Sequence, residues 1–181
     1  MTIHTTHPFA DADPDPARRL RGRLGGAVTL WTAGSAGTAG TDEHAAADTR
    51  RAGLTVTSLM VALGPEPALL ALIDPDADLL EVLRATGRGV VQLLSWGDRQ
   101  LAEAFAGTAP APGGPFRQAA FVDESHGPRL ASATTWAAVR LTGERAVGWS
   151  VEVTAQLEHV EIGPDDDPLL HRRGRFHRLG A

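Results

Sequence analysis

Residues 52–78 read AGLTVTSLMVALGPEPALLALIDPDAD, and the fold turns on how this stretch is parsed. Side chains alternate faces along a β-strand, so apolar residues of one parity mark one face. Leu54 and Val56 share one parity; Leu59, Val61 and Leu63 take the other. A parity change inside a strand requires a bulge or sharp bend, which places one at Thr57-Ser58. After the turn residues Gly64 and Pro65, the run from Ala68 to Ile73 is apolar on both faces, as in a buried strand. A strand that only filled a core would not need Thr55, Thr57 and Ser58 at its bend.

Working outward, the sequence predicts a short helix around Arg18 to Leu24 and a strand from Ala27 to Thr32. A Gly/Ala/Thr-rich loop spans 34–52, longer than a tight hairpin needs. Beyond the opening stretch, DADLLEVLRATG predicts a helix, with Asp78 and Glu81 at capping-box spacing and Gly87 as its stop. VVQLL predicts a strand. SWGDRQLAEAFAG predicts a second helix, with Ser95 and Asp98 at the same cap spacing and Gly107 at the end. Ala146 to Leu157 alternates through Val147, Trp149, Val151, Val153 and Ala155, the pattern of a half-buried antiparallel strand. A further parity change precedes Val160, and PLLHRRGRFHRL is expected to be a final strand. Several bent strands around two short central helices predict a mainly β domain, an antiparallel barrel of Greek-key type. Residues 1–17 are expected to be a polar tail and 18–181 the folded domain.

Composition narrows the chemistry. The chain has 181 residues, 43% of them hydrophobic, enough for one cored domain, and carries a net charge of −5. Mixed charge gives no nucleic-acid surface, and no apolar run predicts a signal peptide or membrane span. A cytoplasmic location is expected. All 17 basic residues are Arg; Lys, Cys, Tyr and Asn are absent. Lysine Schiff bases, thiolate nucleophiles and thiolate metal sites are thereby excluded. What remains is His, carboxylates, hydroxyls, Arg, backbone amides or a borrowed cofactor.

The blocks LGGAVTLWT, GLTVTSLMVALGPEPALLALID, LLEVLRATGRGVVQLL, LAEAFAG and PLLHRRGRFHRL occur in that order over about residues 20–180. In this order and spacing the chain resembles the flavin reductase-like family, whose fold is the FMN-binding split barrel. The resemblance implies a homodimeric flavoprotein with FMN or FAD at the subunit boundary and NAD(P)H as co-substrate. It implies an NAD(P)H:flavin oxidoreductase that passes reduced flavin to a partner monooxygenase. Thr55, Val56, Thr57 and Ser58 match residues that line the isoalloxazine ring, and Arg173 and Arg175 are candidate phosphate ligands. Asp74 and Arg88 complete the candidate cofactor set; no metal site is expected.

Hydride transfer needs no protein nucleophile, because the cofactor carries the electrons. The sequence departs from the family pattern in three places, the first being the long 34–52 loop, a lid over the site or surface decoration. Where the family has a Ser, a basic residue and a Thr for the flavin phosphate, this chain has Ala77, Asp78 and Leu79. Arg84, Arg88, Arg172 and Arg173 are candidate replacements, and Asp78 has an alternative use as a helix cap. Ser150 stands where the family often has a His facing the nicotinamide. These departures define an alternative: a repurposed or non-catalytic split barrel holding another flat ligand (haem, a deazaflavin or a metabolite) in the dimer cleft.

Overall fold

The computed structural model describes residues 15–35 and 50–179. The tail and loop expected at 1–17 and 34–52 fall largely outside them. The chain begins with α1 (Pro16–Arg23), capped by Asp15, whose carboxylate accepts from the Ala17 amide at 3.0 Å. Strands β1 (Gly26–Ala27), β2 (Thr29–Ala33), β3 (Ala52–Val56), β4 (Leu59–Ala62) and β5 (Ala68–Ile73) follow, then α2 (Asp78–Thr86) and β6 (Arg88–Leu93). A 3-10 turn (Trp96–Asp98) leads into α3 (Arg99–Phe105). The chain continues through β7 (Phe121–Glu124), β8 (Gly127–Leu130), β9 (Trp136–Val147), β10 (Ser150–Glu161), β11 (Leu169–Arg172) and β12 (Arg175–Arg178).

Seven strands form one antiparallel sheet in the order β3-β2-β6-β9-β10-β5-β4, flanked by a three-stranded β1-β11-β12 sheet and the β7-β8 hairpin. The central sheet curls around one core. Trp31, Ile73, Val139 and Val153 point inward, and Leu79, Leu80, Val82 and Leu83 of α2 close it. Burying each such Leu or Val is worth roughly 1.5–3 kcal/mol, so α2 is fixed by its apolar face. Its end is set by Gly87, whose φ of 67° belongs to the left-handed region and whose amide donates to the Leu83 carbonyl at 2.8 Å. A second core lies on the outer face of the sheet, where Val28, Leu30, Leu94 and Leu169 meet Leu101 and Phe105 of α3. Every residue of β2 is buried because β2 has a core on each side.

The bend at Thr57-Ser58 falls where the parity change places it: β3 stops at Val56 and β4 starts at Leu59. The later parity change is a register shift between Leu157 and His159. Three local expectations need correction. The strand read from Ala146 is two strands, because Val147 pairs with Ser150 across a turn at Gly148-Trp149. The final strand is likewise a hairpin, β11 and β12, turning at Arg173-Gly174. The N-cap of α2 is Ala77, with no side-chain cap bond, and Asp78 instead pairs with Arg50 at 2.7 Å. The Ser95–Asp98 capping box does form, on the 3-10 turn.

Candidate functional site

The Thr57-Ser58 bend opens a cleft of about 850 Å³ between the sheet edge and α1. Its floor is apolar, from Leu59 and Met60 of β4 and Leu70 and Leu72 of β5. Ser58 fixes the bend: its hydroxyl donates to the Leu72 carbonyl at 2.9 Å and accepts from the Leu72 amide at 3.2 Å. Thr57 also lines the cleft, half-buried, and its hydroxyl has no hydrogen-bond partner among the described residues. Gly26 packs so closely on this bend that an added Cβ would stand 3.2 Å from the Thr57 carbonyl oxygen. Gly26 is in register with His171 of β11, which brings an imidazole into the same cleft.

The electrostatics of the cleft are polarised. Arg18 and Arg21 of α1 and Arg173 of the β11–β12 turn line one wall. Burial, the Arg21 guanidinium and then His177 push the His171 imidazole below its ordinary pKa. At the other side, Glu152 of β10 holds Arg145 of β9 through two bonds of 3.0 and 2.7 Å. Those bonds lower the Glu152 carboxyl below the usual carboxylate range. Beyond the lining residues, the start of α2 is acidic. Asp74 accepts from the Asp76 amide at 2.9 Å, and Arg50 bridges Asp78 and Glu81 at 2.7 and 3.0 Å.

Of the residues selected from sequence, Thr57, Ser58 and Arg173 meet in the cleft. Thr55 does not: its hydroxyl donates to the Ala102 carbonyl of α3 at 2.7 Å. Val56 is core, 3% exposed. Asp74, Arg88 and Arg175 are exposed and outside the cleft lining, and Ser150 sits at the β9–β10 turn between the lining residues Val147 and Glu152. Sequence reasoning missed Arg18 and Arg21. Their i,i+3 spacing put them on one helix face, but nothing local says which face meets β11.

The residues present fit a flavin in part. An apolar floor suits a planar ring, and an unpartnered Thr57 hydroxyl suits a ring carbonyl or nitrogen. The acidic start of α2 does not suit a phosphate.

A family model described as "Flavin reductase like domain" matches residues 21–180. The 4-hydroxyphenylacetate 3-monooxygenase reductase component of Pseudomonas aeruginosa is 27% identical over 133 residues, 71% of this chain and 77% of that protein. Among solved structures, the flavin reductase PheA2 superposes with a TM-score of 0.76 at 21% identity, covering 93% of this chain and 99% of that one. The NADH:FAD oxidoreductase SgcE6 of Streptomyces globisporus does so with a TM-score of 0.75 at 22% identity, covering 91% of each. SgcE6 has also been solved with NAD and FAD fragments. At these identities the structures establish a shared fold.

Proposed function

The chain belongs to the flavin reductase-like domain family, and from that premise we propose that it is an NAD(P)H-dependent flavin reductase supplying reduced flavin to a partner monooxygenase. The observation that carries this is the Thr57-Ser58 bend, which sets an open hydroxyl beside an apolar floor in a cleft of about 850 Å³. One relative is by name the reductase component of a 4-hydroxyphenylacetate 3-monooxygenase. FMN or FAD would supply the two-electron acceptor and a reduced nicotinamide the hydride.

The protein's part is to position and to exclude water. Leu59, Met60 and Leu72 provide an apolar bed on which a flat ring stacks. Thr57 offers its hydroxyl to the ring's polar edge. Ser58 is committed to Leu72 and acts by holding the bend in shape. His171, kept neutral, can donate from one ring nitrogen and accept at the other; it brings the cleft an imidazole that Ser150 does not.

A homodimer belongs to the same proposal. β4 is an edge strand of the sheet, and Met60, Val61 and Leu63 on or beside it are 65%, 56% and 90% exposed. An apolar edge of that kind invites a covering partner, and a second copy would close the open side of the half-barrel. No helix among the described residues is long and apolar enough to cross a membrane; we place the protein in the cytoplasm.

One observation favours a second reading. Ala77, Asp78 and Leu79 match the family's phosphate segment, with Asp74 and Asp76 beside them; that acidity suits a flat ligand without a phosphate. NADH consumption on addition of FMN or FAD separates the two: turnover supports the reductase, and a protein that binds a planar ligand without oxidising NADH supports the alternative.

A further inference from the structure

We propose that Arg21 and Arg173, with Arg18 beside them, form a phosphate-binding subsite that takes over the task the acidic start of α2 cannot perform. The inference rests on the flavin-reductase reading and says where the phosphate-bearing arm of its dinucleotide or mononucleotide ligand goes.

Seven arginines are neutralised by a carboxylate: Arg50, Arg51, Arg84, Arg129, Arg140, Arg145 and Arg178 each hold one at 3.0 Å or less. Arg88, Arg117 and Arg175 have no ion pair among the described residues, but they do not line the cleft. At the α1–β11 junction unpaired arginines meet at a cleft wall. Arg19, Arg21, Arg23 and Arg173 have no ion pair or side-chain hydrogen bond among the described residues. The main cleft carries Arg21 and Arg173, and a second hollow of about 390 Å³ is lined by Arg19, Gly22, Arg23 and Arg173. Gly22 and Arg173 line both, so the two hollows adjoin at this junction.

The junction is also built to hold these cations in place. Arg173 is the sole non-glycine among the described residues with a positive φ, 53°. A residue with a Cβ is strained in that region. The Arg173 amide donates to the Gly22 carbonyl at 2.7 Å, and Arg172 donates through Nε to the Arg23 carbonyl at 3.3 Å. These bonds tie the turn to the last turn of α1. The helix end, carrying about half a negative charge, favours nearby cations, but it does not supply the bidentate acceptors that a guanidinium fork matches. A phosphate does. The His171 imidazole is held below its ordinary pKa first by burial, with the nearby Arg21 guanidinium adding to the effect.

Geometry links this wall to the ring position. Arg173 follows His171 by two residues, at most roughly 7 Å along the chain, and His171 is opposite Gly26, which touches the Thr57 bend. In the proposed pose a ring lies at Thr57 and its sugar or ribityl arm runs along the same cleft to Arg21 and Arg173. The start of α2, with its carboxylates already bridged by Arg50, is left out.

Flavin nucleotides and nicotinamide dinucleotides both carry phosphate, so the test needs arms for each. Wild type, Arg21→Gln and Arg173→Gly are titrated with riboflavin, FMN and FAD by flavin fluorescence at low and high salt, and the KM for NADH is measured. Arg173→Gly suits a φ of 53° and preserves the turn, while Arg21→Gln alters an exposed helix residue; circular dichroism checks both folds. The expected result is at least a tenfold loss of FMN and FAD affinity with riboflavin affinity unchanged. A tenfold rise in the NADH KM with flavin affinities unchanged supports the subsite and assigns it to the nicotinamide dinucleotide. FMN, FAD and NADH all within twofold of wild type in both variants overturns the inference and leaves the flavin reading standing. So does a tenfold gain in FMN affinity from Asp78→Arg alone, which would put the phosphate at α2. Wild type that binds neither riboflavin nor FMN sinks the flavin reading and the inference together.

Discussion

Thr55 and Thr57 would share a face if the strand ran on unbroken, yet they end in different surroundings. Thr55 is still within β3 and its hydroxyl serves the α3 backbone, whereas Thr57 lies past the strand end and lines the cleft. Substituting each with Val should separate the two roles. Thr55→Val removes one neutral hydrogen bond, about 1 kcal/mol, seen as a lower urea midpoint with flavin affinity intact. Thr57→Val should leave the midpoint unchanged and weaken flavin binding about tenfold, a loss of ~1.4 kcal/mol. Equal loss of flavin affinity in both variants would contradict this assignment. The bend itself was legible from parity; which hydroxyl stays free depends on α3 packing, which no local pattern carries.

His171 gives a pH dependence with a definite sign. Its folded pKa lies below the unfolded value near 6.5, so in that window the unfolded chain binds more protons and stability rises with pH. The contribution is complete above the unfolded pKa and is lost as pH falls through the folded one. Thermal melts between pH 5 and 8 should show that slope, and His171→Gln should flatten its share of it. An unchanged slope would remove His171 from the account.

At the scale of elements, the helices were readable because their apolar faces are dictated by sequence, and the hairpins were not. A two-residue turn leaves the alternation intact, so Val147, Trp149 and Val151 read as one strand although the chain reverses at Gly148. The β11–β12 turn hides differently. Two successive positive φ values, 53° and 74°, normally announce themselves as Asn-Gly; here the first residue is Arg173. The start of α2 shows the same limit, because Arg50 reaches Asp78 across a long separation. Leu79, 1% exposed, bears on engineering. Restoring the family's phosphate segment through Leu79→Thr would put a hydroxyl in the core and cost about 2–4 kcal/mol, measured by denaturant unfolding. Stability within 0.5 kcal/mol of wild type, roughly the range of a neutral surface change, would show that α2 does not depend on that contact. Gly53→Ala tests the other core, since its Cβ would come within 2.6 Å of the Phe105 ring. About 1–3 kcal/mol of destabilisation is expected from the overpacking, again by unfolding.

Across the whole molecule, the half-barrel leaves one apolar edge open, and the account requires a second copy there. Sedimentation should give twice the mass of one chain, and Leu63→Arg with Val61→Arg should shift it to the monomer without unfolding it. A wild-type monomer at micromolar concentration would leave the exposed edge unexplained. The architecture was legible from the sequence because parity, caps and block order all report on the single chain. The proposed second copy leaves no comparable trace in the pattern of one chain.

The most direct trial is the visible absorbance of the purified protein titrated with FMN and FAD, followed by NADH in the same cuvette. The account predicts a perturbed flavin spectrum on binding and then bleaching of the yellow band as NADH is consumed. Unperturbed spectra with both flavins, and NADH oxidation no faster than without protein, would contradict it.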